Sequence, residues 1–262
     1  MSKFSPKKES KSGVSVIIYG YSGVGKTRLL TTHPNIAIVG TEGKPLEWEA
    51  CSWRDGNNIQ YGEIPYPKDD EKNKAKLRDD IDTIVDAMKY CARNKLACGV
   101  DSISFWQNMY QMRVVSSVTG SDVRSAWGDV RFATIDVVKH IPDLKERGLD
   151  VIITAHVTSA VPEYRMDDYI VARSKETKAE RKELLEAEYS ILMPYLAGSM
   201  KHGLPYWADV TGYMEKRGDV YTISFDCGYA FTKDSNGRLG TIEIDGKNPL
   251  TLQRICDTIR EN

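Results

Sequence analysis

The chain has 262 residues, a net charge of −1 and 41% hydrophobic residues, enough to bury one α/β core but hardly two full domains. So balanced a charge advertises no global basic field for nucleic acid, although local loops can still carry basic residues. No apolar run approaches about 18 residues and the N-terminus lacks a signal-peptide core, which predicts a soluble, cytoplasmic protein with no membrane partner.

The five cysteines (Cys51, Cys91, Cys98, Cys227 and Cys256) are scattered and lack C-x-x-C spacing. Reduced thiols are expected, not a disulfide frame or a zinc site. Residues 1–12 place Lys3, Lys7, Lys8 and Lys11 among serines and read as a disordered, mildly basic arm. Residues 13–262 read as a single domain.

Val14 to Tyr19 is a short apolar strand, and Lys26 to Thr32 can open a helix. Between them Gly20, Tyr21, Ser22, Gly23, Val24, Gly25, Lys26 and Thr27 fit G-x-x-x-x-G-K-[ST], the phosphate-cradling P-loop, in the strand–loop–helix setting it requires. Glycines let the backbone turn sharply and bring its N–H groups close to phosphate oxygens. Lys26 is expected to reach the β- and γ-phosphates, serving both binding and catalysis, and the Thr27 hydroxyl to hold Mg²⁺. Arg28 follows directly and joins the candidate nucleotide contacts.

His33-Pro34 ends the first helix, and Asn35 to Val39 reads as a second strand. Gly56 to Asp70 is polar and rich in Pro and Asp, with no element assigned. Leu77, Ile81, Ile84, Val85 and Met88 recur at helical spacing. Leu96 to Val100 is a third strand. Ile103, Trp106, Met109 and Met112 predict one helix, and Phe132, Ile135, Val138, Ile141 and Leu144 another. Val151 to Thr154 is a fourth strand. Strands alternating with helices predict a mostly parallel sheet flanked by helices, with its site at the carboxyl ends of the strands.

From Glu163 to Leu192 basic residues and glutamates interleave over a thin apolar face, which reads as a charged, mobile insertion (163–192). Asp209–Met214, Val220–Phe225 and Gly228–Thr232 then read as antiparallel strands, and Pro249 to Arg260 as a closing helix.

Ala97-Cys98-Gly99-Val100-Asp101 is an apolar strand ending in Asp, the pattern of a Walker B segment. Asp101 would share Mg²⁺ with Thr27; capping the helix after it is the purely structural alternative. A strand and a helix separate this segment from the P-loop, which points to the additional-strand division that includes RecA and the AAA+ motors. That division generally polarises its water with a glutamate. Glu42, just past the second strand, is the candidate.

In this order the landmarks resemble the RecA-like ATPases carried by bacteriophages, the Sak-type single-strand annealing group of phage nucleotide-binding proteins. They are the P-loop, Thr41-Glu42-Gly43, Val100-Asp101-Ser102, Trp127-Gly128-Asp129, Thr154-Ala155-His156, and Lys233-Asp234 near Gly237, spanning Val14 to Leu239. The resemblance implies a RecA-like ATPase, DNA-stimulated and acting on single-stranded DNA in phage recombination or replication. It implies a homo-oligomer with ATP near subunit interfaces, and a single-strand binding protein as a further partner. His156 takes the place of a γ-phosphate sensor. Ser116–Arg131 and Val157–Leu185 take those of the DNA-facing loops, with Arg113, Arg124, Arg131, Arg165, Arg173, Lys175 and Lys178 toward phosphates. Tyr164 and Tyr169 would stack on bases.

One position departs from the pattern. Relatives carry Lys-x-Arg late in the chain, reaching the neighbour's ATP; here Lys233-Asp234-Ser235 keeps the Lys, and Arg238 lies three residues beyond. A trans-acting arginine is worth about 10³–10⁵ in rate. Two other readings stay open: a P-loop kinase of a small acceptor, and a nucleotide-dependent assembly module with little hydrolysis.

Overall fold

The computed structural model describes residues 12–42, 58–63, 74–116, 123–176, 179–197, 200–234, 237–244 and 252–261. The basic arm (all but residue 12), Cys51, Lys178, Ser235 and Asn236 lie outside them, as do the side chains of Arg113 and Arg124. In chain order the elements begin with β1 (Ser15–Gly20), α1 (Lys26–Leu30), β2 (Asn35–Gly40), β3 (Asn58–Glu63), α2 (Lys74–Asn94) and β4 (Ala97–Asp101). The helices α3 (Ile103–Ser116), α4 (Val123–Val138) and α5 (Ile141–Glu146) lead into β5 (Val151–Ala155) and β6 (Val157–Ala160). Next come α6 (Met166–Lys175), α7 (Ala179–Tyr189), β7 (Ile191–Pro194) and α8 (Met200–Gly203). The chain then forms β8 (Val210–Arg217), β9 (Val220–Ser224), β10 (Lys233–Asp234), β11 (Thr241–Ile244) and α9 (Leu252–Arg260).

The main sheet runs β11-β9-β8-β1-β5-β4-β2-β3, with β10 beside β8. From β8 to β3 every pairing is parallel; β9, β10 and β11 are antiparallel. The fold is therefore α/β and RecA-like in strand order, with antiparallel strands late in the chain. β5 lies between the P-loop strand and the Asp101 strand, whereas β2, the strand between them in sequence, sits outside β4. Pairings Tyr19↔Ala155, Val100↔Ile153 and Gly40↔Asp101 bring the carboxyl ends of β1, β5, β4 and β2 to one edge.

Alternation along the central strands fills both faces, as a parallel sheet requires. Ile17, Tyr19, Val100 and Ile153 join Met88, Trp106 and Val137 in one core, while Val16, Ile18, Ile36 and Ile152 join Leu29, Leu30 and Ile255 in the other. Trp106, Tyr19 and Ile17 are among the largest fully buried side chains.

Several elements differ from the sequence reading. The polar stretch after Gly56 contains edge strand β3, where Ile59 and Tyr61 pack on the core between polar neighbours. The helix expected over 132–144 is two, because Pro142 opens α5 and has no N–H to continue α4. The charged 163–192 stretch folds as a short 3-10 turn, two packed helices and β7, which pairs with β6. Residues 228–232 hold a single bridge, Ala230 to Leu192, and not a strand. No helix of the described residues is long and apolar enough to cross a membrane.

Candidate active site

The P-loop leaves β1 at Gly20. A Cβ there would lie 2.1 Å from the Met214 carbonyl oxygen, so glycine is needed for close strand approach, not for a turn. Gly23 and Gly25 do have left-handed backbones, with φ of 78° and 93°, which side chains disfavour. Those turns bring Lys26 in as the first residue of α1. Its ammonium is buried and donates to the carbonyls of Gly20 (2.9 Å) and Tyr21 (2.8 Å). Burial lowers its pKa, and the carboxylates of Asp101 and Glu42 oppose that shift.

The Thr27 hydroxyl donates to Asp101 Oδ2 at 2.6 Å, and the Thr154 hydroxyl to Asp101 Oδ1. Burial pushes the Asp101 carboxyl above its usual range, against the two hydroxyl donors. A divalent cation would remove that penalty by neutralising the carboxylate. Hydroxyl and carboxylate oxygens are the hard donors Mg²⁺ takes, and it binds through one or two carboxylates beside phosphates. The residues present therefore fit both groups: a phosphate chain on the glycine loop and Lys26, and a cation at Thr27 and Asp101.

Glu42 is fixed by the join between β2 and β4. The Thr41 N–H donates to the Asp101 carbonyl (2.7 Å), and the Thr41 hydroxyl donates to the Ser102 carbonyl (2.8 Å) and accepts from the Ser102 N–H (3.0 Å). The next residue, Glu42, then places Oε1 2.9 Å from His156 Nε2 and 3.3 Å from Ser102 Oγ. The His156 hydrogen bond is the main reason its carboxyl sits below the usual glutamate range, since burial acts the other way. His156 is in turn anchored by its own N–H donating to Ser104 Oγ at 2.9 Å. A partly exposed, ionised carboxylate beside a buried ammonium and a cation-type oxygen pair can accept a proton from water attacking a terminal phosphate.

A family model described as an AAA domain matches residues 12–243, nearly nine-tenths of the chain. The chain belongs to this AAA domain family. A nucleotide-binding P-loop ATPase core is what that membership carries. No curated protein matches this AAA domain. Among solved structures, an ATPase from the type III secretion system of pathogenic bacteria aligns with TM-score 0.43 and 12% identity. That alignment covers 78% of this chain and 53% of the secretion ATPase, so the chain spans about half that protein's length. A KaiC-like protein of Pyrococcus horikoshii aligns with TM-score 0.38 and 10% identity, over 92% of this chain and 89% of its own.

The sheet edge thus brings together Lys26, Thr27, Asp101, Glu42 and His156. The remaining P-loop residues lie around them: Tyr21 and Ser22 exposed, Val24 buried, and Arg28 on the open side of α1. Lys233 and Arg238 do not join this group within the chain. Lys233 pairs with Thr211, in the amino-terminal half of β8, and its ammonium donates to the carbonyls of Ala208 and Pro205. Arg238 is exposed in the segment leading to β11. Thr41, Ser102 and Thr154 stand in the landmark motifs without a role of their own, and Ser104 is named in none of them, yet all four hold the site. Thr154 carried one readable signal: it is a polar side chain on an otherwise apolar strand, Val151-Ile152-Ile153.

Proposed function

We propose that this AAA domain is a Mg²⁺-dependent ATPase of RecA-like type that acts on single-stranded DNA, in phage recombination or replication. The observation that carries the catalytic half is the hydrogen-bonded set Thr27–Asp101–Thr154, with Glu42 and His156 at the same sheet edge. Lys26 and the loop amides would hold the triphosphate, and Thr27 and Asp101 would hold Mg²⁺. The cation supplies charge neutralisation on the phosphates. Glu42 orients the attacking water and takes its proton, and His156 holds Glu42 in place until contacts at the terminal phosphate change.

Support for the DNA half comes from the sequence resemblance and from chain connectivity. β6 starts at the residue after His156, and the Tyr195 N–H, just past β7 at the same end of the β6–β7 hairpin, donates to the His156 carbonyl at 2.7 Å. A shift of His156 would therefore be passed to the charged helices that the hairpin encloses. There Tyr164 is 71% exposed and offers its ring, whereas Tyr169 is buried against Tyr189 and does not. Arg173 and Lys175 are exposed on α6, and Arg131 on α4. ATP near subunit interfaces of a homo-oligomer, host cytoplasm as the compartment and a single-strand binding protein as partner belong to the same reading. The kinase alternative fits less well, because β5 separates the two Walker strands.

The test is steady-state ATP hydrolysis with and without single-stranded DNA, with Lys26→Ala as blank. DNA stimulation of a Lys26-dependent rate is expected. A rate indifferent to DNA would sink the coupling while leaving the ATPase.

A further inference from the structure

The two sides of the P-loop strand are unlike. On its β5 side stand Thr154, Asp101, Glu42 and His156, where the terminal phosphate would react. On its β8 side Gly20 pairs with Met214, and along the same hairpin Lys216 pairs with Tyr221. Strand alternation puts Met214, Lys216 and Tyr221 on one face of the sheet, the face that carries α1. A Cβ added at Gly25 would meet Met214 Cε at 3.4 Å and the Tyr221 ring carbons Cδ1 and Cε1 at 3.8 Å. The phenol ring therefore borders the residue just before Lys26. The Lys216 ammonium lies 5.0 Å from the centre of that ring. Tyr221 is only half-buried and Lys216 is exposed.

We propose that Tyr221 and Lys216, paired across the β8–β9 hairpin, form the wall that receives the base of a bound nucleoside triphosphate. The inference rests on the nucleotide reading above. A phosphate chain whose reacting end lies by Asp101 and Glu42 runs along the loop and leads its other end toward β8. There a half-buried aromatic ring can stack on the base, with the Lys216 ammonium now over it able to donate to a ring nitrogen or carbonyl acceptor of the base. Neither residue has a part in the hydrolysis itself.

The experiment is calorimetric titration with MgATP and with magnesium tripolyphosphate, which has the phosphates but no base. Base–aromatic stacking predicts that the wild-type protein binds ATP about 10- to 100-fold more tightly than tripolyphosphate. Tyr221→Ala should erase that preference by weakening ATP alone, and Tyr221→Phe should retain it. Equal binding of the two ligands by the wild type, or an ATP preference that survives Tyr221→Ala, overturns the proposal. So does a Tyr221→Ala protein that weakens both ligands alike, since the ring would then only support the loop. Failure of the wild type to bind either ligand would instead remove the P-loop reading, and this inference with it.

Discussion

The carboxyl edge of the parallel strands and the charged helices α6 and α7 are both rich in polar residues, yet they are built differently. At the strand edge each functional group is tied to another. Thr27 and Thr154 hold Asp101, Thr41 locks onto Ser102, and His156 holds Glu42. Thr41, Ser102 and Thr154 are fully buried, and their hydroxyls bond to protein partners: Thr41 to Ser102, Ser102 to Glu42 and Thr154 to Asp101. Around α6 and α7 these contacts stay among the helices and the turn before them: Tyr169 packs on Tyr189, Arg165 lies over Tyr189 and Arg173 over Tyr169. Ile170, Val171 and Leu184 remain exposed there. Strand ends in a packed sheet hold side chains in place for chemistry; a pair of charged helices beside it presents surface and can change at little cost to the core.

Substitutions should separate the two regions. The largest effect is expected at Glu42. Glu42→Gln keeps the shape and removes the proton acceptor, so turnover should fall about 10²–10⁴-fold while calorimetric ATP affinity is kept. Phosphate release that persists at the wild-type rate would move the base elsewhere.

Next in size is Asp150, which underlies the strand edge from the far end of β5. Its buried carboxylate accepts from the Val14 N–H (2.9 Å), lies 3.2 Å from His33 Nε2 and is clasped by Arg260 of α9. Asp150→Ala leaves those partners uncompensated and should lower the unfolding free energy by about 3–5 kcal/mol in a denaturant titration. An unchanged midpoint would show that the cluster adds nothing to stability.

The same cluster predicts an acid limb. Burial raises the Asp150 pKa, but His33, the Val14 N–H and Arg260 together hold it below the ordinary value. A depressed folded pKa contributes stability above the unfolded value of about 3.9, and that contribution is lost as pH falls through the lower folded value. Thermal melts of the wild type should therefore fall off below about pH 4 more steeply than those of Asp150→Asn. Parallel curves would deny Asp150 the role.

The smallest stability effect belongs to the charged helices. Arg173→Ala with Lys175→Ala should change stability by no more than about 0.5 kcal/mol. If these side chains meet phosphates, the same pair should flatten the salt dependence of single-stranded DNA affinity by about one to two charges. An unaltered slope would place the DNA elsewhere.

The sequence was most readable where structure is local. The P-loop is eight consecutive residues, so its turns, its lysine and its threonine follow from their order alone. The positions of Asp101 and Glu42 at the sheet edge were readable for a related reason: Asp101 closes a short apolar strand and Glu42 lies two residues past another. Strand β3 was obscured, because an edge strand buries only Ile59 and Tyr61 and looks polar between them. The break between α4 and α5 was signalled by Pro142 but hidden by an apolar stripe that runs through it.

By itself, then, the order of residues determined a nucleotide-type P-loop, an α/β core and the strand ends where acidic groups belong. These depend on contacts within a few residues and on periodicity. Only the tertiary structure decided that β5, drawn from about fifty residues beyond β4, lies between the P-loop strand and the Asp101 strand. That placement puts Thr154 on Asp101 and His156 on Glu42. It likewise brought Tyr221 beside Gly25. Pairings between distant strands depend on which apolar faces can be buried together, and that balance is struck over the whole sheet rather than within any one segment.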